Sequence, residues 1–146
     1  MEYIRLVHWR YWDKRKKNFQ SLAFQNSSES KAVSVVDKDC TERHDRDICT
    51  RLNRFYTKYS PCFAIWIFDA ELLPEGAKFT AEPSDTGDEC HRNLRGLSNS
   101  EAQTFFKRHT RPNTVELMLY CEANGSPQAL TDELADELFD RFSVIE

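Results

Sequence analysis

In the stretch YIRLVHW, Ile4, Leu6 and His8 alternate with Tyr3, Arg5, Val7 and Trp9, a period of two that predicts a first strand over 3–9. A charged loop at 13–18, a short apolar piece at 19–24 (FQSLAF) and a polar turn at 26–30 lead to a second predicted strand, KAVSVVD, over 31–37. Asp39 and Glu42 form a capping-box-like pair, and Ile48, Leu52, Phe55 and Tyr59 recur at helical spacing. Together they predict one helix over 41–58, stopped by Pro61. The apolar run CFAIWIFD at 62–69 has the composition of a central strand covered on both faces, and a helix followed by such a strand suggests a right-handed crossover unit.

Further on, AKFTAE at 77–82 alternates as a short strand, and 83–87 is a loop. DECHRNLRGLS, residues 88–98, reads as a polar loop before a helix that Ser98 and Glu101 cap and that ends near Arg108. TVELMLY at 114–120 predicts a strand, 124–127 a turn, and Thr131 the cap of a last helix with Leu134, Leu138 and Phe142 on one face. The order of elements predicts one α+β domain over residues 1–146, a mixed sheet of about five strands with about three helices packed on it.

Composition adjusts this picture in three places. With 40% hydrophobic and 12% aromatic residues in 146, the chain has material for an ordinary core without disulfides or metal. The five cysteines, odd in number and without a C-x-x-C pair, are expected as reduced thiols, and the lack of an apolar signal core or membrane-length run points to a cytoplasmic protein. Charge is lopsided: residues 1–20 carry six Arg and Lys against two acids, and residues 129–146 carry six acids against one Arg. The two ends are suited to attract each other or different partners. The net charge of -4 argues against a dedicated nucleic-acid binder.

Candidate chemistry gathers in DECHRNLRGLS. His91 is suited to proton transfer near neutral pH, Arg92 and Arg95 to bidentate capture of an anion, and Gly96 to close approach of that anion to the helix start. The competing reading is a solvated loop. Arg5, in an apolar strand, requires an acid or a ligand if buried, or else marks the solvent face of an edge strand. Trp12 beside Lys14, Arg15, Lys16 and Lys17 has the composition of a stacking-plus-phosphate surface for RNA, although a charged hairpin loop has it too. Asp132, Asp136 and Asp140 line an acidic face suited to a protein partner or to solvation. Cys40 and His44 share a helical face, but no standard spacing completes a zinc set, so no metal site is expected. The common phosphate-loop, dinucleotide, zinc-protease and serine-elbow signatures are absent.

Arg5, Trp12, the Ser21-Leu-Ala-Phe24 piece, the Val33-Ser-Val35 strand and His91-x-x-Leu94-x-Gly96 together resemble a pattern of small bacterial proteins of unassigned function, over about two thirds of the chain. That resemblance implies a bacterial origin and assigns no activity. An arginine on the first strand followed by a serine-bearing strand also resembles ADP-ribosyltransferase-like and RES-type NAD-consuming toxins. Their catalytic glutamate has only positional counterparts here, Glu101 and Glu116. The leading expectation is therefore a binding or accessory protein, of a toxin-antitoxin or phage-defence locus by resemblance, with an anion pocket near Arg5, His91 and Arg95. Its rivals are an enzyme acting on NAD or a nucleic-acid phosphodiester through His91, Arg5, Arg95 and Ser21, and an RNA-binding module. No cofactor is indicated.

Overall fold

The computed structural model describes residues 1–28, 30–56, 63–82, 87–108, 118–121 and 127–143. In chain order the elements are β1 (Glu2–His8), β2 (Trp12–Asp13), β3 (Asn18–Phe19), β4 (Val33–Asp37), α1 (Lys38–Asp45), α2 (Ile48–Phe55), β5 (Phe63–Asp69), β6 (Lys78–Thr80), β7 (His91–Arg95), α3 (Asn99–Arg108), β8 (Met118–Tyr120), β9 (Gln128–Ala129) and α4 (Asp132–Phe142). Seven strands form one sheet in the order β6-β7-β4-β1-β5-β8-β9, and β2 pairs with β3 in a separate ribbon. The α+β class is as expected. Among the described residues, however, every ladder is antiparallel. β4 and β5 run parallel only as next-nearest neighbours: both run against β1, which lies between them, and α1 with α2 carries the chain across.

The helix predicted over 41–58 is two helices. Arg46 takes a left-handed φ of 70°, and Asp47 caps a new helix by accepting from the Thr50 N–H at 2.8 Å. The cap of α1 is Asp37, which accepts from Cys40 N at 3.1 Å, rather than Asp39. The larger difference is β7. The expected loop at 88–98 contains an internal strand whose polar residues meet partners on neighbouring strands instead of water. Parts of the sequence reading, including Pro61, Cys62, most of the 83–87 loop, Glu116 and most of the 124–127 turn, lie outside the described residues.

The sheet separates two apolar clusters. Alternation along β5 sends Ala64, Trp66 and Phe68 to one face, where they meet Phe24, Phe105 and Phe106, and sends Ile65 and Ile67 to the other, with Ile4, Val36, Ile48 and Leu52. β5 is thus covered on both faces, as its unbroken apolar run requires. At one end, Arg51 is completely buried and bonded to Asp45 and Asp88, with Glu89 3.0 Å away.

The expectation of reduced thiols is overturned. Cys40 is joined to Cys90, and Cys49 to Cys121, with Cα separations of 5.5 and 5.8 Å. Packing of α1 and α2 on the sheet, not sequence spacing, brings these residues together. The bridges span 50 and 72 residues, and in the chain-entropy view each restricts the unfolded chain by about 4 kcal/mol. Among the described residues, no helix is long and apolar enough to cross a membrane.

Candidate functional site

The ladder between β1 and β4 stops after Tyr3↔Asp37 and Ile4↔Val36, whereas β1 pairs with β5 along seven residues. At the next position, the Arg5 guanidinium takes over: Nη1 donates to Ser34 O at 3.0 Å and Nη2 to Ala23 O at 2.7 Å. Arg5 is therefore the stitch of an incomplete seam in the middle of the sheet. Among the described residues it has no carboxylate partner, and its Nε is buried without a hydrogen bond. Burial pulls its pKa down to about 10, so the side chain stays cationic at neutral pH without a counterion.

Both faces of the seam are hollow. On the α1–α2 side a pocket of about 130 Å³ is lined by Ile4, Leu6, Val36 and Tyr56, and on the other side a cleft of about 820 Å³ opens to solvent. Arg5 and Ser34 border both. Arg10 and Lys31 join Arg5 around the larger cleft, while Tyr11, Gln25, Asn26, Ser27 and Asn99 supply an aromatic ring and neutral polar groups. Among the described residues, no acid belongs to its lining. Arg10 donates to Tyr11 Oη at 2.9 Å and lies 4.8 Å from that ring's centroid, and neither Arg10 nor Lys31 has an acidic partner among the described residues. Asn26 Oδ1 is buried there without a bond.

His91 stands one residue behind this cleft. Its Nδ1 lies 2.6 Å from Glu82 O and its Nε2 2.6 Å from Ser34 Oγ. A carbonyl oxygen only accepts, so Nδ1 carries the proton, and in the neutral ring Nε2 accepts from the Ser34 hydroxyl. The ring is buried while Ser34 is exposed. The arrangement is a hydroxyl, an imidazole beside it and a carbonyl fixing the tautomer, with both side chains on the sheet face of Val36. Register explains it, because β4 and β7 pair Ser34 with Asn93 and Val36 with His91, which puts the two side chains diagonally on one face.

Arg5 and His91 do meet through Ser34, but the other expected anion ligands are engaged elsewhere. Arg95 spends Nη2 on both Glu82 oxygens at 3.0 Å and Nε on Thr80 Oγ1 at 3.2 Å. Hydrogen bonds from Arg95, first, and then from Thr80 and Asn93 hold the Glu82 carboxyl below its ordinary range. Arg92 donates to the carbonyls of Glu89 and His91 at 2.9 and 2.8 Å. Gly96, at φ +88°, is packed so closely on Gly76 that a Cβ would lie 2.1 Å from the Gly76 carbonyl oxygen. That close approach is to backbone rather than to an anion. The start of α3 is closed as well, since Ser98 and Glu101 exchange capping bonds at 3.0 and 3.1 Å. Glu101 is a cap, and Ser21 accepts from Lys107 through Oγ at 3.1 Å, with no hydrogen bond to His91 or Arg5 among the described residues.

The basic tract and the acidic helix find each other. Trp12 is buried, and its indole N–H donates to Asp136 at 2.9 Å. Lys17 pairs with the other oxygen of Asp136, and Lys14 reaches Asp140 at 2.9 Å. Lys17 first, and Trp12 after it, hold the Asp136 carboxyl below its ordinary value. Arg15 and Lys16 are exposed and give their backbone N–H groups to Asp13. The stacking surface imagined for RNA is therefore not formed: its tryptophan is in the core and two of its lysines hold α4. Asp132 lies in the first turn of α4.

Sequence reasoning missed Ser34, Arg10, Lys31 and Glu82 as parts of one place. Ser34 carried a faint signal, a polar residue breaking the run of valines at 33–36. No family model matches the chain, and no curated protein does. Among solved structures, a Caulobacter crescentus protein is similar at 18% identity and a TM-score of 0.43, with 94% of this chain and 98% of that one covered.

Proposed function

We propose that the protein binds a phosphate-bearing small molecule, of about nucleotide size, in the cleft at the β1–β4 seam. The observation that carries this reading is the charge of the lining: Arg5, Arg10 and Lys31 surround the cleft, with no acid among the described residues that line it. Half-buried Arg5, with no carboxylate among the described residues, is compensated by a bound anion. Neutral donors such as Asn99 and Ser27 suit the remaining phosphate oxygens, and the Tyr11 ring offers a face for a base.

The test is a thermal-shift panel of inorganic phosphate, mononucleotides, ADP-ribose and NAD. A ligand at a hundredfold excess over its dissociation constant stabilises by about 2.7 kcal/mol, which at this size raises Tm by several degrees. High salt should shrink the shift. An unchanged Tm across the panel contradicts the reading.

A second reading rests on the Ser34–His91 pair. A hydroxyl hydrogen-bonded to an oriented imidazole has the arrangement of an activated nucleophile, and Arg5, bonded to the backbone carbonyl of the same serine, adds positive charge to the seam. This version makes the protein a hydrolase of an anionic ester. A fluorophosphonate probe should then label Ser34 in the native protein and fail to label it in His91→Ala. Equal labelling of both, or none of the native protein, rules it out.

A further inference from the structure

On the opposite face of the sheet, the first disulfide sits inside a set of metal-ligating groups. Cys40 and His44 are four residues apart on α1 and so share a face. Cys90 arrives from the segment leading into β7. The Asp37 N–H donates to Cys90 O at 2.9 Å, and the Cys90 N–H donates to Asp88 at 2.8 Å, so the backbone of Cys90 is fixed from both sides. The two sulfurs and one imidazole nitrogen of His44 all lie within 4.8 Å of one another.

We propose that, when the Cys40–Cys90 bond is reduced, Cys40, Cys90 and His44 form a binding site for zinc-class divalent ions. Two thiolates and an imidazole are a donor set that zinc favours, and a tetrahedral ion with its usual bond lengths needs donors roughly 3.4 to 3.8 Å apart. The sulfur-to-imidazole separations are at most about 1 Å wider, and the two sulfurs, bonded to each other in the disulfide, must move apart once reduced. His44 supplies the adjustment, because its side chain is 48% exposed while both cysteines are buried. Glu89 Oε1 lies 3.6 Å from His44 Nδ1. That is beyond hydrogen-bond length, and a small shift of the exposed ring would let Glu89 accept from Nδ1–H and leave Nε2 to the ion, the carboxylate–histidine arrangement that orients metal-bound imidazoles. Solvent takes the fourth position.

Opening the site needs a reductant. A cellular dithiol passes two electrons and two protons to the disulfide, becomes a disulfide itself and leaves two thiols. A phosphine does the same in vitro, taking oxygen from water as phosphine oxide while water supplies the protons. The ion then displaces both thiol protons. The site is therefore closed when the bond is formed and open when it is reduced.

The test is titration of the full chain with Co²⁺, used as a spectroscopic substitute for zinc, after reduction with a phosphine. Intense thiolate-to-cobalt charge-transfer bands saturating at one equivalent, and erased by zinc, are expected in the reduced protein and not in the oxidised one. His44→Ala, a change at an exposed position, should weaken cobalt binding at least tenfold. Cys40→Ser with Cys90→Ser should remove the bands. If reduction unfolds the chain, cobalt should restore the far-UV dichroism of the native protein and fail to do so in His44→Ala. Bands that persist in the double serine variant, equal affinity in His44→Ala, or no binding and no refolding in the reduced native protein would each overturn the proposal.

Discussion

At the scale of single residues, the most consequential side chain drew no attention in the sequence. Arg51 sits on the helical stripe of Ile48, Leu52 and Phe55 yet is fully buried, and its charge is met by Asp45, Asp88 and Glu89 from elsewhere in the chain. Tyr56 Oη adds a bond to Asp88 at 3.0 Å. Removing one partner of such a group leaves the other charges buried and unpaired, so Arg51→Ala should cost about 3–5 kcal/mol in urea denaturation. A loss below about 1 kcal/mol would mean that the acids relax to solvent. Asp88 and Glu89 belong to the polar stretch that stood out in the sequence, and their principal partner lies 37 residues away from Asp88. Spacing along the chain carries no trace of that meeting. The same holds for Gly96: its identity was legible, but the backbone of Gly76 that requires it was not.

At the scale of elements, periodicity found β1, β4, β5, α3 and α4 because each has one face, or two, against an apolar cluster. It misread β7, since His91, Asn93 and Arg95 are polar and only their sheet neighbours make burial tolerable. It also ran one helix through 41–58, because an apolar stripe does not show the left-handed turn at Arg46. The docking of α4 on the basic tract has a pH consequence. Asp136 and Glu82 are held below their ordinary values of 3.8 and 4.5. Such carboxylates contribute stability that is complete above the ordinary value and is lost as pH falls through the lower folded value. Urea midpoints should therefore be flat down to about pH 5 and then decline, and Asp136→Asn should be less stable at neutral pH with a shallower acid decline. An identical acid profile in the variant would show that the Lys17–Asp136–Trp12 contacts contribute nothing.

At the scale of the molecule, the sheet is two antiparallel pieces joined at a short ladder. On one side lie β6, β7 and β4, on the other β1, β5, β8 and β9, and Arg5 bridges the place where their pairing stops. The cations at the cleft come from β1, the turn after it and the segment before β4, which is why no local motif announced them. The α+β class was readable from the sequence. The pairing of Ser34 with His91 and the disulfides were not, because both depend on register and packing between distant segments.

Arg10 and Lys31 offer the most direct measurement of the central claim, since both are exposed and neither has an acidic partner among the described residues, so their loss should leave the fold intact. The experiment is isothermal titration of the phosphate-bearing compound giving the largest thermal shift into the native protein and into Arg10→Ala/Lys31→Ala. One-site binding that weakens at least tenfold in a variant with native Tm is the predicted result. Equal affinity in the two proteins would place the anion elsewhere and contradict the assignment of the seam cleft.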